Sequence, residues 1–366
     1  MQTIVVSGIN LFTGGTLKVL HECVSALSSF AGDQFRIIAL VHNEAQHPAY
    51  PNVQYISYPK SRSSYLYRLY YEYIGFKKLS KQLQPDAWFS MHDTTPNVIA
   101  KRRMVYCHNP FPFYKAGLRG LFLQRSIFLF SFFSKYLYQI NIKKNDYVIV
   151  QQEWMRDAFK KLFSIDNLIV SIPVTKYLTK KPNNIKKRKK QDEKVTFFYP
   201  VTPMIHKNFE MICEAAALLE KEEGMNFEVL LTTNGAENTY ARWIYKKYHS
   251  LKTVRYVGFL NRDEMDLNYQ NSDCLLFPSK AETWGLPITE AKENNLPIIV
   301  SNLPYAKEAV GKYDRVKFFD PDNARQLADE MKHFMQGTIV YDETFEIEYK
   351  KPFARNWDEL VHYLFA

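Results

Sequence analysis

Two apolar periods alternate along the chain. Short runs rich in β-branched and aromatic residues recur, and segments with apolar residues every three to four positions lie between them. In the first half the runs are Thr3–Ser7, Phe35–Val41, Val53–Ser57, Ala87–Met91, Met104–Cys107 and Tyr147–Val150. In the second half they are Val195–Pro200, Phe227–Thr232, Val254–Val257, Cys274–Pro278, Pro297–Ser301 and Val316–Phe319. Strand runs separated by helical segments predict parallel α/β sheets. The first helix is well marked: Leu17, Leu20, Val24 and Leu27 share a face, Thr16 offers a cap, and Gly14–Gly15 precede it. The length of 366 residues divides naturally into two such domains.

Charge divides the chain in the same place. Residues 1–175 carry 20 Lys/Arg against 10 Asp/Glu, residues 176–194 carry 9 against 2, and residues 195–366 carry 19 against 26. The stretch Lys180–Lys194 is too polar to bury and contains Pro182, so it reads as a basic interdomain linker, with a nucleic-acid patch as the alternative. Aromatic residues reach 15% and concentrate in Tyr65–Phe76 and Leu121–Ile140, both beside Lys and Arg. Only nine residues separate Arg125 from Lys135, so the second run does not span a bilayer. Both runs suit either helices packed on the first sheet or helices lying on an anionic membrane surface. Cys23, Cys107, Cys213 and Cys274 are too scattered for a disulfide framework or zinc site. The chain opens directly on a strand pattern, and a cytoplasmic setting is expected.

Three places could carry chemistry. Gly14–Gly15, at a strand-to-helix turn, would let backbone amides approach an anion, or would simply make a tight turn. Phe277–Ser301 places Glu282 in the loop after a buried strand, then Gly285, then a helix with Pro287 in its first turn and Glu290 one turn in. Amides of Trp284, Gly285 and Leu286 would point from the carboxyl edge of the sheet, where α/β ligands bind. Two carboxylates there suit a ligand rich in hydroxyls; the alternative is a loop acid and a helix-dipole partner. His108 follows a strand and precedes the Asn109–Pro110 turn, also at a carboxyl edge. The other histidines show no metal spacing, and Asp320-Pro-Asp322 sits where a helix cap is expected.

The segment Glu282-Thr-Trp-Gly-Leu-Pro-Ile-Thr-Glu290 resembles the E-x7-E motif of retaining glycosyltransferases of family 4. That resemblance implies the GT-B fold: two Rossmann-like domains facing across a cleft, with a C-terminal helix crossing back to the first. It extends to the glycine loop Ser7–Gly15, to His108, to His206-Lys207-Asn208 and to the terminal segment from Ala354 to Ala366. It implies that Glu282 and His108 act on the transferred sugar, that Glu290 takes the ribose diol, and that Trp284, Gly285 and Leu286 supply amides. Gly14 and Gly15 would lie near the diphosphate, and Lys207 would clamp it. The family usually carries an Arg about five residues before that Lys; here Thr202 stands there, with His206 or a basic residue of the first domain as replacements.

The expected organisation is therefore residues 1–175 as acceptor domain, 176–194 as linker, 195–350 as nucleotide-sugar domain and 351–366 as the returning helix. The expected activity is metal-independent, cofactor-free, retaining transfer of a hexosyl or deoxyhexosyl group from a nucleotide-diphosphate sugar. The acceptor would be a glycan, lipid-linked, in O-antigen- or capsule-like polysaccharide assembly, with the first domain against an anionic membrane and no nucleic acid as partner. Rival readings are a GT-B epimerase or phosphorylase-like enzyme, and a nucleic-acid module using Lys186–Lys190.

Overall fold

A computed structural model describes residues 1–32, 34–173 and 194–366. The chain forms two compact units, one made of Met1–Pro112, Phe133–Lys176 and Tyr349–Ala366, the other of Phe113–Phe132 and Tyr177–Glu348.

The first unit holds strands β1 (Gln2–Ser7), β2 (Phe35–Val41), β3 (Val53–Ser57), β4 (Ala87–Ser90), β5 (Arg102–Cys107), β6 (Tyr147–Val150) and β7 (Leu168–Ser171). The second holds β8 (Val195–Tyr199), β9 (Phe227–Leu231), β10 (Val254–Tyr256), β11 (Cys274–Phe277), β12 (Ile298–Ser301) and β13 (Val316–Phe319). A two-residue strand, β14 (Phe353–Ala354), returns to the edge of the first sheet. The sheet orders are β14-β7-β6-β5-β4-β1-β2-β3 and β10-β9-β8-β11-β12-β13, with all pairs parallel. Parallel strands with helical crossovers are covered on both faces, which is why β4, β7, β11 and β12 are buried at every position. In each sheet the order reverses once, between β1 and β4 and between β8 and β11. Such a reversal opens a crevice at the carboxyl ends of the strands.

Residues 113–132 correct the domain boundary expected at 175, because they join the second unit. Gln124 Oε1 accepts the amide of Ile205 (2.7 Å), the Tyr114 ring meets His206, and the helix Leu118–Leu123 packs on the helix Thr239–Tyr248. The linker 176–194 lies outside the described residues except Lys194, which pairs with Glu228 at 2.7 Å.

The terminal segment is tied to the first unit by polar and apolar contacts. Arg156 donates to the carbonyls of Lys350 and Pro352, which brings β14 to β7. The helix Trp357–Phe365, capped by Asn356, buries Leu360, Val361 and Leu364 completely. They share a core with Leu20, Val24 and Leu27 of the helix Gly14–Ala31, and Trp357 lies 5.0 Å from the Tyr106 ring.

Glu22 is set into this packing, and its burial pushes its carboxyl from an ordinary 4.5 up to about 7, against the opposing pull of Lys18 and the Trp357 indole. Between those values the folded chain holds a proton that the unfolded chain releases, so this group's contribution to stability falls as pH rises from about 4.5 to about 7. Glu22→Gln is expected to gain Tm relative to the parent between pH 5 and pH 8, by about 2–4 °C in thermal melts. A difference that stays flat across that range contradicts the assignment.

Candidate active site

The reversal between β8 and β11 places two loops side by side. The β8 loop runs through a short turn of helix at Ile205–Lys207 to Asn208, whose φ of 60° is left-handed, a conformation Asn tolerates. The Asn208 amide donates to the carbonyls of Pro278 (3.2 Å) and Pro321 (2.9 Å), stitching the loops after β8, β11 and β13 together. The Tyr199 hydroxyl donates to the Lys207 carbonyl, and the amide of Lys280 donates to the His206 carbonyl at 2.7 Å.

Held this way, Lys207 pairs directly with Glu282, 75 residues later. Both side chains are largely buried, at 16% and 12% exposed. Either charge alone would be costly to desolvate there, so the pair is stable only as a pair or with a ligand that replaces one member. Lys280, two residues before Glu282, carries a second cation, whose Nζ meets Asp322 at 2.5 Å. His206 is not a third, because burial and the neighbouring Lys207 push its imidazole well below the usual range. The idea that His206 replaces the missing Arg as a cation is thereby corrected. Asp320 accepts the Asp322 amide, while Asn323 rather than either Asp caps the helix Ala324–Gln336.

After Glu282 the chain turns at Gly285 into the helix Leu286–Glu293. Gly285 has φ +81°, and a Cβ there would lie 3.2 Å from Ile288 and 3.4 Å from Phe277, so glycine is required twice over. The amides of Trp284, Gly285 and Leu286 precede the helix's first internal bonds, and Pro287 has none to leave unpaired. Trp284 is buried and anchored by its indole N–H to the Thr289 hydroxyl (2.9 Å). Glu290 lies one turn in, its oxygens accepting from Arg262 (2.7 Å) and the Tyr269 hydroxyl (2.8 Å). A carboxylate has about four acceptor positions, so a diol could still bind alongside. The second unit thus gathers Lys207, Glu282, Trp284, Gly285, Leu286 and Glu290 around one sheet edge.

The remaining predicted residues lie in the first unit. The helix there begins at Gly14 itself, after Thr13, and Thr16 does not cap it; its hydroxyl donates back to the Thr13 carbonyl. Gly14 has φ +57° and open space where a Cβ would stand. His108 follows β5; its amide donates to Asp93 Oδ1 at 2.8 Å, and its Nε2 lies 3.9 Å from Asp93 Oδ2.

Residues 180–350 match the sequence profile of the family Glycosyl transferases group 1. That span contains Lys207, Glu282, Gly285 and Glu290. The chain has the GT-B fold, and its second half carries a glycosyltransferase domain of this group. Two relatives are similar in sequence: an O-antigen chain mannosyltransferase of Salmonella typhimurium, 22% identical over 73% of this chain and 71% of its own, and O-antigen chain mannosyltransferase B of Escherichia coli, 26% identical over 36% and 33%. Among solved structures, sucrose-phosphate synthase of Thermosynechococcus elongatus shares the fold with a TM-score of 0.63 at 14% identity, covering 92% of this chain and 90% of its own. WaaG, a glycosyltransferase of lipopolysaccharide biosynthesis, has a TM-score of 0.62 at 11% identity, covering 91% and 90%.

Arg262, Tyr269, Lys280 and Asp93 were not singled out from the sequence of this glycosyltransferase. Arg262 and Tyr269 belong to one helix, Arg262–Asn271, while Lys280 follows β11 and Asp93 follows β4 of the first unit, and only folding brings each beside its partner. The Gly285 turn is the most exposed to a test. Gly285→Ala is expected to cost about 1–2 kcal/mol in urea denaturation, since an L-residue must hold a left-handed conformation against two side chains. A loss below about 0.5 kcal/mol would mean the turn can relax, and the amides need not be where they are placed.

Proposed function

We propose that this glycosyltransferase moves a sugar from a nucleotide-diphosphate donor to a glycan acceptor, with retention of configuration and without a metal, in surface polysaccharide assembly. The observation that carries the reading is the Lys207–Glu282 pair beside the amides of the Leu286–Glu293 helix, at the point where the strand order reverses. A diphosphate entering there takes Lys207 from Glu282 and gains the amide dipoles. Glu282, released, accepts hydrogen bonds from sugar hydroxyls, and Glu290 receives the ribose diol. His108 hydrogen-bonds the transferred sugar, a role that rests on the family resemblance, as does the placing of Gly14 and Gly15 near the diphosphate.

The chemistry follows from that placement. The bond from the anomeric carbon to the diphosphate oxygen breaks, and the acceptor hydroxyl forms a new bond on the same face. The departing diphosphate takes the hydroxyl's proton. Lys207 and the helix amides stabilise the charge that builds on the leaving oxygen, which is where a metal would otherwise act. The two mannosyltransferase relatives make mannose the first sugar to try.

The acceptor is assigned as a lipid-linked glycan at the cytoplasmic face of a membrane. Among the described residues no helix is long and apolar enough to cross one. The helix Arg125–Gln139 instead exposes Leu129, Phe132, Phe133 and Tyr136, spaced to share one face, with Arg125, Lys143 and Lys144 also exposed. Tyr65, Leu66, Tyr67, Tyr70 and Ile74 are likewise exposed near Lys77 and Lys78. Large aromatic residues with basic neighbours suit a headgroup layer of negative charge.

A panel of nucleotide sugars, read by NMR at the new anomeric centre, tests the activity. The expected product keeps the donor's anomeric configuration, and Glu282→Ala and His108→Ala each lose at least ~100-fold in kcat/KM. An inverted product, or near-normal turnover in both variants, overturns the reading.

A further inference from the structure

His108 is accompanied by a carboxylate that no motif announced. Asp93 follows β4, is 6% exposed, and touches His108 twice: Oδ1 accepts the backbone amide at 2.8 Å and Oδ2 faces ring Nε2 at 3.9 Å. One side chain therefore holds the peptide of His108 and places its carboxylate beside the imidazole. Asp93 does this from an unusual backbone position. Its φ is +69°, and the Thr94 amide donates across it to the His92 carbonyl at 2.8 Å, which makes Asp93 the apex of a three-residue turn.

Both residues beside that apex are gripped by one buried ion pair. Arg68 Nε donates to Glu72 Oε1 at 2.6 Å, and Glu72 is fully buried. Arg68 Nη2 also donates to the His92 carbonyl (2.9 Å), the same oxygen that closes the turn. From the other side the Thr94 hydroxyl donates to Glu72 Oε2 (2.6 Å). His92 Nδ1 lies 3.3 Å from Glu72 Oε1, and its Nε2 meets the Ser7 hydroxyl at 3.1 Å, which ties the cluster to β1. Glu72 reaches this position from a π-helical turn, Tyr71–Gly75, a local widening found often at functional sites. The carbonyl of Asp93 is further fixed by the Cys107 thiol at 3.5 Å.

We propose that Asp93 is the positioning residue of His108, holding the ring in its working orientation, and that the Arg68–Glu72–His92 cluster exists to pin Asp93 at the turn apex. The inference rests on the reading of His108 as a residue that acts on the sugar. A carboxylate at the ring face favours one orientation of the imidazole over its flip, and a misplaced hydrogen bond of this kind is expressed in turnover rather than in donor affinity.

The test is a double-mutant cycle on the full chain, read as steady-state release of nucleotide over a range of donor concentrations. Asp93→Asn keeps the shape and one acceptor but removes the charge; should it fail to fold, Asp93→Gly, which the positive φ accommodates, takes its place. Asp93→Asn is expected to lower kcat at least ~10-fold while the donor KM stays within ~3-fold and Tm within a few degrees. In a His108→Gln background the same change is expected to cost less than ~2-fold, because the residue it serves is gone. An equal loss in both backgrounds, or near-normal kcat for Asp93→Asn, overturns the proposal while leaving His108 in its role. Near-normal turnover of His108→Gln alone overturns the role of His108, and the positioning proposal with it.

Discussion

A lysine ammonium and a carboxylate, both mostly withdrawn from water, share one edge of the second sheet, and much of that unit exists to keep them there. Lys207 without Glu282, or Glu282 without Lys207, would carry a desolvation cost with nothing to offset it. The left-handed Asn208, the Tyr199 hydroxyl on the Lys207 carbonyl, and the Lys280 amide on the His206 carbonyl fix one partner. The Gly285 turn and the anchored Trp284 fix the other. On the proposed reading, the diphosphate of a nucleotide sugar replaces the glutamate at the lysine, and the sugar brings hydroxyls for the glutamate in exchange. The resting pair would then be a site kept neutral until an anionic ligand divides it.

The two sheets apply the same rule to different ends. Parallel strands buried on both faces make a rigid platform, and the reversal of strand order leaves one crevice per sheet at the carboxyl edge. In the second unit that crevice carries cations and helix amides suited to phosphate. In the first it carries Ser7, His92 and Asp93, a polar cluster built around a fully buried Glu72, with His108 just after the adjoining strand. The first unit needs its own C-terminal helix to close its core, so chain ends and centre fold as one body there.

Much of this was legible in the sequence, and the exceptions have physical causes. Twelve strands were visible because fully buried parallel strands read as near-continuous apolar runs. β7 was missed although Asp166, Asn167 and Pro173 flank Leu168–Ser171, and β14 because two residues carry no period. Glu282, Gly285, Pro287 and Glu290 were legible because they act within one turn and one helix, a local grammar. The partnership of Glu282 with Lys207 joins distant loops and was not legible; the family resemblance gave the two residues only separate roles toward the donor. Residues 113–132 were assigned to the wrong unit because an apolar aromatic helix suits either sheet; the Gln124–Ile205 hydrogen bond and the Tyr114–His206 ring contact accompany its actual choice. Asp93 was invisible because a lone aspartate has no pattern until β4 and β5 lie side by side.

The most direct measurement is calorimetric titration of nucleoside diphosphates into the parent chain, Lys207→Ala and Glu282→Gln. If the ion pair is the diphosphate site, Lys207→Ala loses at least ~10-fold in affinity while Glu282→Gln, which leaves the lysine without its competitor, binds the bare diphosphate more tightly than the parent. Equal affinities across all three proteins would contradict the account.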